Sequence, residues 1–156
     1  MLNTKTLKIS VILKFKMKNK GLLFFVLAIL LIFIDQITKA LAYTSGFGNF
    51  LSALRPIIGK ELFPNSNFAF SIPLPHLLIY SIYVLLLAGL IFWYTNLKNK
   101  TFLLSLGLTL ILAGALSNIG DRLFLGYVRD FIYIFWGNVF NLADLYIIAG
   151  IILLLI

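Results

Sequence analysis

Residues 21–43 read GLLFFVLAILLIFIDQITKALAY. From Gly21 to Ile34 nothing in this stretch is polar. A spanning helix needs about 20 mostly apolar residues, and the segment supplies them. Yet it closes on Asp35, Gln36 and Lys39. A charge inside a span costs roughly 2.5–3.5 kcal/mol on insertion scales, so it normally faces protein and marks function. Asp35 and Lys39 stand at i and i+4, on one helix face, and are expected to pair. At about 1.5 Å rise per residue, Asp35 lies about 21 Å from Gly21, toward the far side of the membrane. The segment reads as a transmembrane helix with a polar outer end.

The rest of the chain follows the same plan. Of 156 residues, 62% are hydrophobic and 12% charged, where a soluble domain carries about a quarter charged. Three further apolar stretches are expected to span: LPHLLIYSIYVLLLAGLIFWY, ending at Tyr94; TFLLSLGLTLILAGALSNIGDRLF, from Thr101; and a shorter one from near Val139 to Ile156. The fold class is therefore a membrane protein, an all-α bundle of four transmembrane helices. Residues 44–72 are broken by Gly, Pro and Asn and hold short alternating pieces, so a small extracytoplasmic β-rich or irregular lobe is expected between helices one and two. Residues 1–20 form a basic tail and 21–156 a single membrane domain.

Charge gives the orientation. Six of the thirteen Lys and Arg (Lys5, Lys8, Lys14, Lys16, Lys18 and Lys20) precede the first span, and Lys98 and Lys100 lie between spans two and three. With four spans both groups fall on one side, which the positive-inside rule makes cytoplasmic. Both termini are then cytoplasmic, and 44–72 and about 125–138 lie outside. The net charge of +8 fits anionic lipid headgroups; with no aromatic-interleaved basic patch, nucleic acid is not an expected partner. The sequence contains no cysteine, which excludes disulfides, thiolate metal ligands and a Cys nucleophile. The basic start and the ALA at 40–42 also resemble a cleaved signal peptide. The length of the apolar run, and Asp35, Gln36 and Lys39 before that site, favour a retained span.

Four of the five acidic residues, Asp35, Asp121, Asp130 and Asp144, fall at the outer ends of spans; the fifth is Glu61. For Asp35 and Asp121 ion pairing is the simpler role, Asp35 with Lys39 and Asp121 with Arg122 or another base. Asp130 and Asp144 have only Arg129 near them in sequence. Two carboxylates in one low-dielectric pocket cannot easily both ionise, so the pair shares a proton. One member can then take a proton from water while the other protonates a carbonyl oxygen, with no metal or cofactor. The single histidine, His76, heads the second span and reads as an interfacial residue. A proton-coupled carrier would place its carboxylates near the midplane and show symmetric halves; neither feature is present.

DQITK (35–39), NSNFAFS (65–71), AGALSNIGDR (113–122), GYVRDFI (126–132) and FNLAD (140–144) occur in that order. Together they resemble the bacterial lipoprotein signal peptidases (signal peptidase II) from about residue 20 to the end. The resemblance implies an intramembrane aspartic endopeptidase of the bacterial cytoplasmic membrane. It would cleave prolipoproteins before a diacylglyceryl-modified cysteine, at the extracytoplasmic leaflet, and be inhibited by globomycin-type peptides. It implies Asp130 and Asp144 as the catalytic pair, and Asp35, Lys39, Asn65, Asn118, Arg122 and Asn141 as residues that shape the pocket and hold substrate. No metal or other cofactor is implied, and a monomer is expected. Asn67 and Phe68 replace the glycine and first alanine of the family's N-x-G-A-A-F, and Ala113 and Ser117 replace glycines of GGA-x-G-N. The aromatics Phe131, Tyr133, Phe135 and Trp136 read either as a lid over the site or as an interfacial belt.

Overall fold

The computed structural model describes residues 20–44, 63–67, 72–134 and 138–156. The expectations for the tail before Lys20, for most of the 44–72 lobe, for Glu61 and Phe68, and for the side chains of Tyr133, Phe135 and Trp136 lie outside the described residues. Among the described residues four helices and four short strands follow one another as α1 (Lys20–Ala42), β1 (Phe63–Asn65), α2 (His76–Asn96), α3 (Phe102–Leu125), β2 (Val128–Asp130), β3 (Ile132–Ile134), β4 (Asn138–Phe140) and α4 (Leu142–Leu155).

Helices α1, α2 and α3 are long and apolar enough to cross a membrane, with 23, 21 and 24 residues. Helix α4 has 14. It was expected from near Val139, but Val139 and Phe140 belong to β4. The reason is local. Asn141 has extended backbone angles, and its side-chain oxygen accepts from the N–H of Asp144. That is a helix N-cap, and a cap fixes where the helix begins.

The lipid-facing pattern is plain in α2, where Ile79 alone is fully buried while Leu77, Leu85 and Phe92 are exposed. The protein-facing pattern belongs to α3, whose buried face carries Gly107, Ala113, Gly114, Ser117, Asn118, Asp121 and Arg122. Apolar side chains gain little by leaving lipid for protein, so helices associate there through close backbone approach at small residues. Here α3 and α4 meet through two such steps. A Cβ on Gly107 would sit 2.9 Å from the carbonyl oxygen of Gly150, and one on Gly150 would sit 2.6 Å from that of Gly107. A Cβ on Gly114 would collide with the carbonyl oxygen of Ala143.

Thr101 caps the start of α3, its hydroxyl accepting from Leu104 N–H at 3.2 Å. Gly126 ends that helix at φ +83°, a left-handed conformation that glycine adopts without a Cβ penalty. The chain then turns into β2, which pairs antiparallel with β1 (Phe63↔Asp130, Pro64↔Arg129, Asn65↔Val128). A second ribbon, β3 with β4, folds the chain back (Ile132↔Phe140, Ile134↔Asn138). Phe131 N–H bonds Phe140 C=O at 2.9 Å at the base of that ribbon. Asp130, which falls between the third and fourth apolar stretches, thus sits at the end of a strand, and the returning ribbon brings it to the start of α4.

Gly114→Ala is expected to destabilise the detergent-solubilised protein by about 1–3 kcal/mol through overpacking. Gly89→Ala, whose added methyl meets nothing within 4 Å, serves as its control and should be neutral or slightly stabilising. Thermal unfolding of the two variants beside wild type checks this.

Candidate active site

The site is built on a buried ion cluster. Lys39 is fully buried, and its ammonium lies 2.7 Å from Asp35 Oδ2 and 3.2 Å from Asp121 Oδ2. It also donates to Asn118 Oδ1 at 2.8 Å. Every proton of the ammonium therefore has an acceptor, as burial of a charge demands. The expected Asp35–Lys39 pair is present, and both residues face the protein. Asp121 does not pair with Arg122, its neighbour in sequence. Consecutive residues of a helix point about 100° apart, and Asp121 turns instead to Lys39 and to Arg129 of β2, whose Nη2 lies 2.8 Å from its Oδ1. Arg122 points to the far side, where its Nη2 donates to Asn67 C=O at 2.8 Å and its guanidinium lies 5.6 Å from the Tyr83 ring.

The remaining oxygens of Asp35 reach across the bundle. Ser117 Oγ donates to Oδ2 at 2.6 Å, and the backbone N–H of Ala143 donates to Oδ1 at 2.9 Å. Ala143 lies in the first turn of α4, where N–H groups lack partners within the helix. Asp35 supplies one such partner from another helix.

Asp144 is also held at that helix start. Its Oδ2 accepts from Asn141 N–H at 3.1 Å while its own N–H bonds Asn141 Oδ1 at 3.0 Å, which closes a reciprocal capping box. Its Oδ1 accepts from Asn118 Nδ2 at 2.8 Å. Asp130 receives two amide donors, Asn141 Nδ2 on Oδ1 at 2.6 Å and Asn65 Nδ2 on Oδ2 at 3.0 Å. Neither amide can turn its oxygen inward, because Asn141 Oδ1 is committed to Asp144 N–H and Asn65 Oδ1 accepts from Asn67 N–H at 3.0 Å. Asn141 thus joins the two aspartates directly.

Asp130 is 1% exposed. Burial first, and the neighbouring Asp144 carboxylate second, push its pKa up to about 7 against the opposing pull of the Asn65 and Asn141 donors. A carboxyl so placed keeps its proton up to about pH 7. Outside the helices Tyr43 is also shifted, to about 12, chiefly by burial. Its hydroxyl is buried with no hydrogen-bond partner among the described residues.

All eight residues expected at the site, Asp130, Asp144, Asp35, Lys39, Asn65, Asn118, Arg122 and Asn141, gather where the C-terminal ends of α1 and α3 meet the start of α4 and the adjoining strands. His76 stays outside, exposed at the start of α2. Three residues of the network were not singled out in sequence. Gln36 donates to Asp121 Oδ1 and to Ser117 Oγ, each at 2.9 Å. Ser117 stood out only as a replaced glycine. Arg129 was read as a neighbour of Asp130 and in fact serves Asp121. A polar glutamine inside an apolar span was the one signal that could have found Gln36.

Lys39→Met leaves Asp35 and Asp121 buried without the shared ammonium. Breaking a buried pair from one side costs about 3–5 kcal/mol, so a large fall in unfolding temperature is expected. Lys39→Met with Asp35→Asn should recover part of it; a single variant as stable as wild type would contradict this reading of the cluster.

The family model for signal peptidase (SPase) II matches residues 27–156. A lipoprotein signal peptidase of Acinetobacter baylyi is 36% identical over 152 residues, covering 91% of this chain and 84% of that protein. One from Streptococcus pneumoniae is 33% identical over 135 residues, covering 84% and 88%. Two solved bacterial membrane enzymes share the fold, with TM-scores of 0.68 and 0.62 at 21% and 24% identity; each alignment covers 85% of this chain, and 84% and 89% of the other. The chain belongs to the signal peptidase II family.

Proposed function

We propose that Asp130 and Asp144 are the catalytic pair of this peptidase. As a signal peptidase II the chain is an aspartic-type endopeptidase that removes the signal peptides of prolipoproteins. The observation that carries the assignment of the pair is the asymmetry of the two carboxyls around Asn141. Asp130 is enclosed, and its pKa is raised to about 7. Asp144 lies at a helix N-terminus, where the macrodipole favours an anion. Asp144 takes a proton from the attacking water as its oxygen adds to the scissile carbonyl carbon. Asp130 gives its proton to the carbonyl oxygen, and a gem-diol forms. Collapse of the diol returns a proton to Asp130, expels the amine and moves the proton held by Asp144 to it. Asn65, Asn118 and Asn141 hold the carboxyls in place, and Arg122 lies beside them to meet substrate main chain. The substrates are prolipoproteins modified with diacylglycerol at the cysteine after the cut, and globomycin-type peptides occupy the same cleft.

The wider reading is a monomeric single-domain membrane protein over 21–156 with four spans, α4 being the fourth. Its basic tail over 1–20 and both termini are cytoplasmic, and its aspartates lie at the extracytoplasmic leaflet. The lysines before α1 and between α2 and α3 support this orientation. The native chain has no cysteine, so single-cysteine variants test it cleanly. A cysteine at Asn99 should react with an impermeant thiol reagent only after the inner membrane is opened, and one at Gly126 before.

Asp130→Asn and Asp144→Asn should each lower cleavage of a diacylglyceryl-modified prolipoprotein by at least about 10²–10⁴-fold, the range of a lost acid or base. Retained cleavage in either would remove that residue from the pair. The wild-type rate should fall as pH rises through about 7, where Asp130 loses its proton. Stability carries the same sign. The folded value lies above the unfolded one, about 3.9, so the folded protein binds the extra proton between about pH 4 and 7 and is progressively destabilised as pH rises through that window. The melting temperature of Asp130→Asn relative to wild type should therefore rise between pH 5 and pH 8.

A further inference from the structure

Strand β2 is three residues long and pairs only with β1 among the described residues. Its middle residue, Arg129, lies opposite Pro64. Proline has no N–H to give to a ladder, and the N–H of Arg129 does not enter one. It points the other way, to Asp121 Oδ2 at 3.2 Å. The Arg129 side chain follows it: Nε reaches Asp121 Oδ2 at 3.4 Å, Nη2 reaches Asp121 Oδ1 at 2.8 Å and Gln36 Oε1 at 2.6 Å. One residue of β2 is thus fastened through its backbone and its guanidinium to α3, and through its guanidinium to α1. The next residue in the chain is Asp130.

The carboxylate that holds Arg129 is itself fixed. Asp121 is 2% exposed and takes Lys39 and Gln36 as further partners. Gln36, Asp121 and Arg129 line one wall of a cavity of about 410 Å³ whose other walls include Ile32, Leu116, Phe124 and Leu125. A planar guanidinium with donors in a fixed fork can hold an angle as well as a distance; an ammonium on a flexible stem holds only the distance.

We propose that Arg129 is a positioning residue for the peptidase reaction: clamped by Asp121 and Gln36, it fixes β2 so that the carboxyl of Asp130 stands against Asn141 and Asp144. The inference rests on the assignment of Asp130 to the catalytic pair. Arg129 itself makes no contact with Asp130's carboxyl, whose two oxygens are taken by Asn65 and Asn141. The charged groups that act on Asp130 are Asp144 from α4 and Lys39 from α1. Loosening β2 would let Asp130 drift from Asp144 and toward water.

The test compares Arg129→Gln, Arg129→Lys and Asp130→Asn in detergent, with kcat, KM and the pH–rate profile measured on a diacylglyceryl-modified prolipoprotein. Displacement of a reacting group by about 1 Å can cost about a hundredfold. Arg129→Gln should therefore lower kcat by about 10- to 100-fold with KM within about twofold, and Arg129→Lys should fall between it and wild type. In both, the alkaline limb of the profile should move to lower pH, because Asp130 leaves its enclosed place near Asp144. A kcat loss that follows only the folded fraction, with the limb unmoved, marks a general structural role and overturns the proposal. So does wild-type kcat in both Arg129 variants while Asp130→Asn is inactive. An active Asp130→Asn would instead overturn the pair on which the proposal rests. If Arg129→Gln does not fold, Arg129→Lys keeps the charge on Asp121 and decides by the same two readouts.

Discussion

A lysine ammonium with no access to water holds this site together. Lys39 would be costly to bury alone, and the chain surrounds it with Asp35, Asp121 and Asn118 from two helices. Each partner then has oxygens or donors to spare, and each spends them on a different element. Asp35 reaches Ala143 in α4, Asp121 reaches Arg129 in β2, and Asn118 reaches Asp144. The position of both proposed catalytic carboxyls thus derives from one buried cation. Mutual satisfaction is what makes such a network rigid in a low-dielectric interior, where each unmet partner would be expensive.

Charge balance supports the same protonation pattern as the local geometry. Among the described residues the bases gathered here are Lys39, Arg122 and Arg129, and the carboxyls are Asp35, Asp121, Asp130 and Asp144. Three against four leaves one carboxyl without a counter-charge. Asp130 and Asp144 are the two with neutral amide partners, Asn65 and Asn141 for the first, Asn118 and the Asn141 N–H for the second, so the two together hold one proton. Asp130, raised to about 7 by burial and by Asp144, is the member placed to hold it. A neutral acid beside an anionic base is what hydrolysis by a water molecule requires, and here it follows from the count of charges in a region that excludes solvent.

Much of this was legible in sequence because the membrane makes polar residues conspicuous. Asp35, Lys39, Asn118, Asp121 and Arg122 stand out against apolar helices, and their spacing fixes their faces. The two aspartates could be named, but the distance between them could not, since it depends on a three-residue ribbon that returns the chain from Ile132 to Phe140. The start of α4 was misplaced for a related reason. Val139 and Phe140 are as apolar as the helix that follows, and hydropathy cannot see a cap. Asn141 could have been read as one, with Asp144 three residues on. Arg129 was beyond reach, because which carboxylate it serves is decided by the pairing of β2 with β1 and by the absent N–H of Pro64.

The small residues of α3 belong to the chemistry as much as to the packing. Gly114 lets the carbonyl of Ala143 come against the α3 backbone, at a place where any side chain would collide. The N–H of the same Ala143 is held by Asp35. Ala143 is therefore fixed at both its polar groups, one by a carboxylate of α1 and one by a gap in α3. The residue that follows it is Asp144. One turn along α3 from Gly114 stands Asn118, whose amide meets Asp144 at 2.8 Å. A helix pair held apart by even one methyl group at Gly114 would keep its hydropathy and its caps. It would lose the register that brings Asn118 to Asp144, and with it the anchoring of the carboxylate that must accept a proton from water.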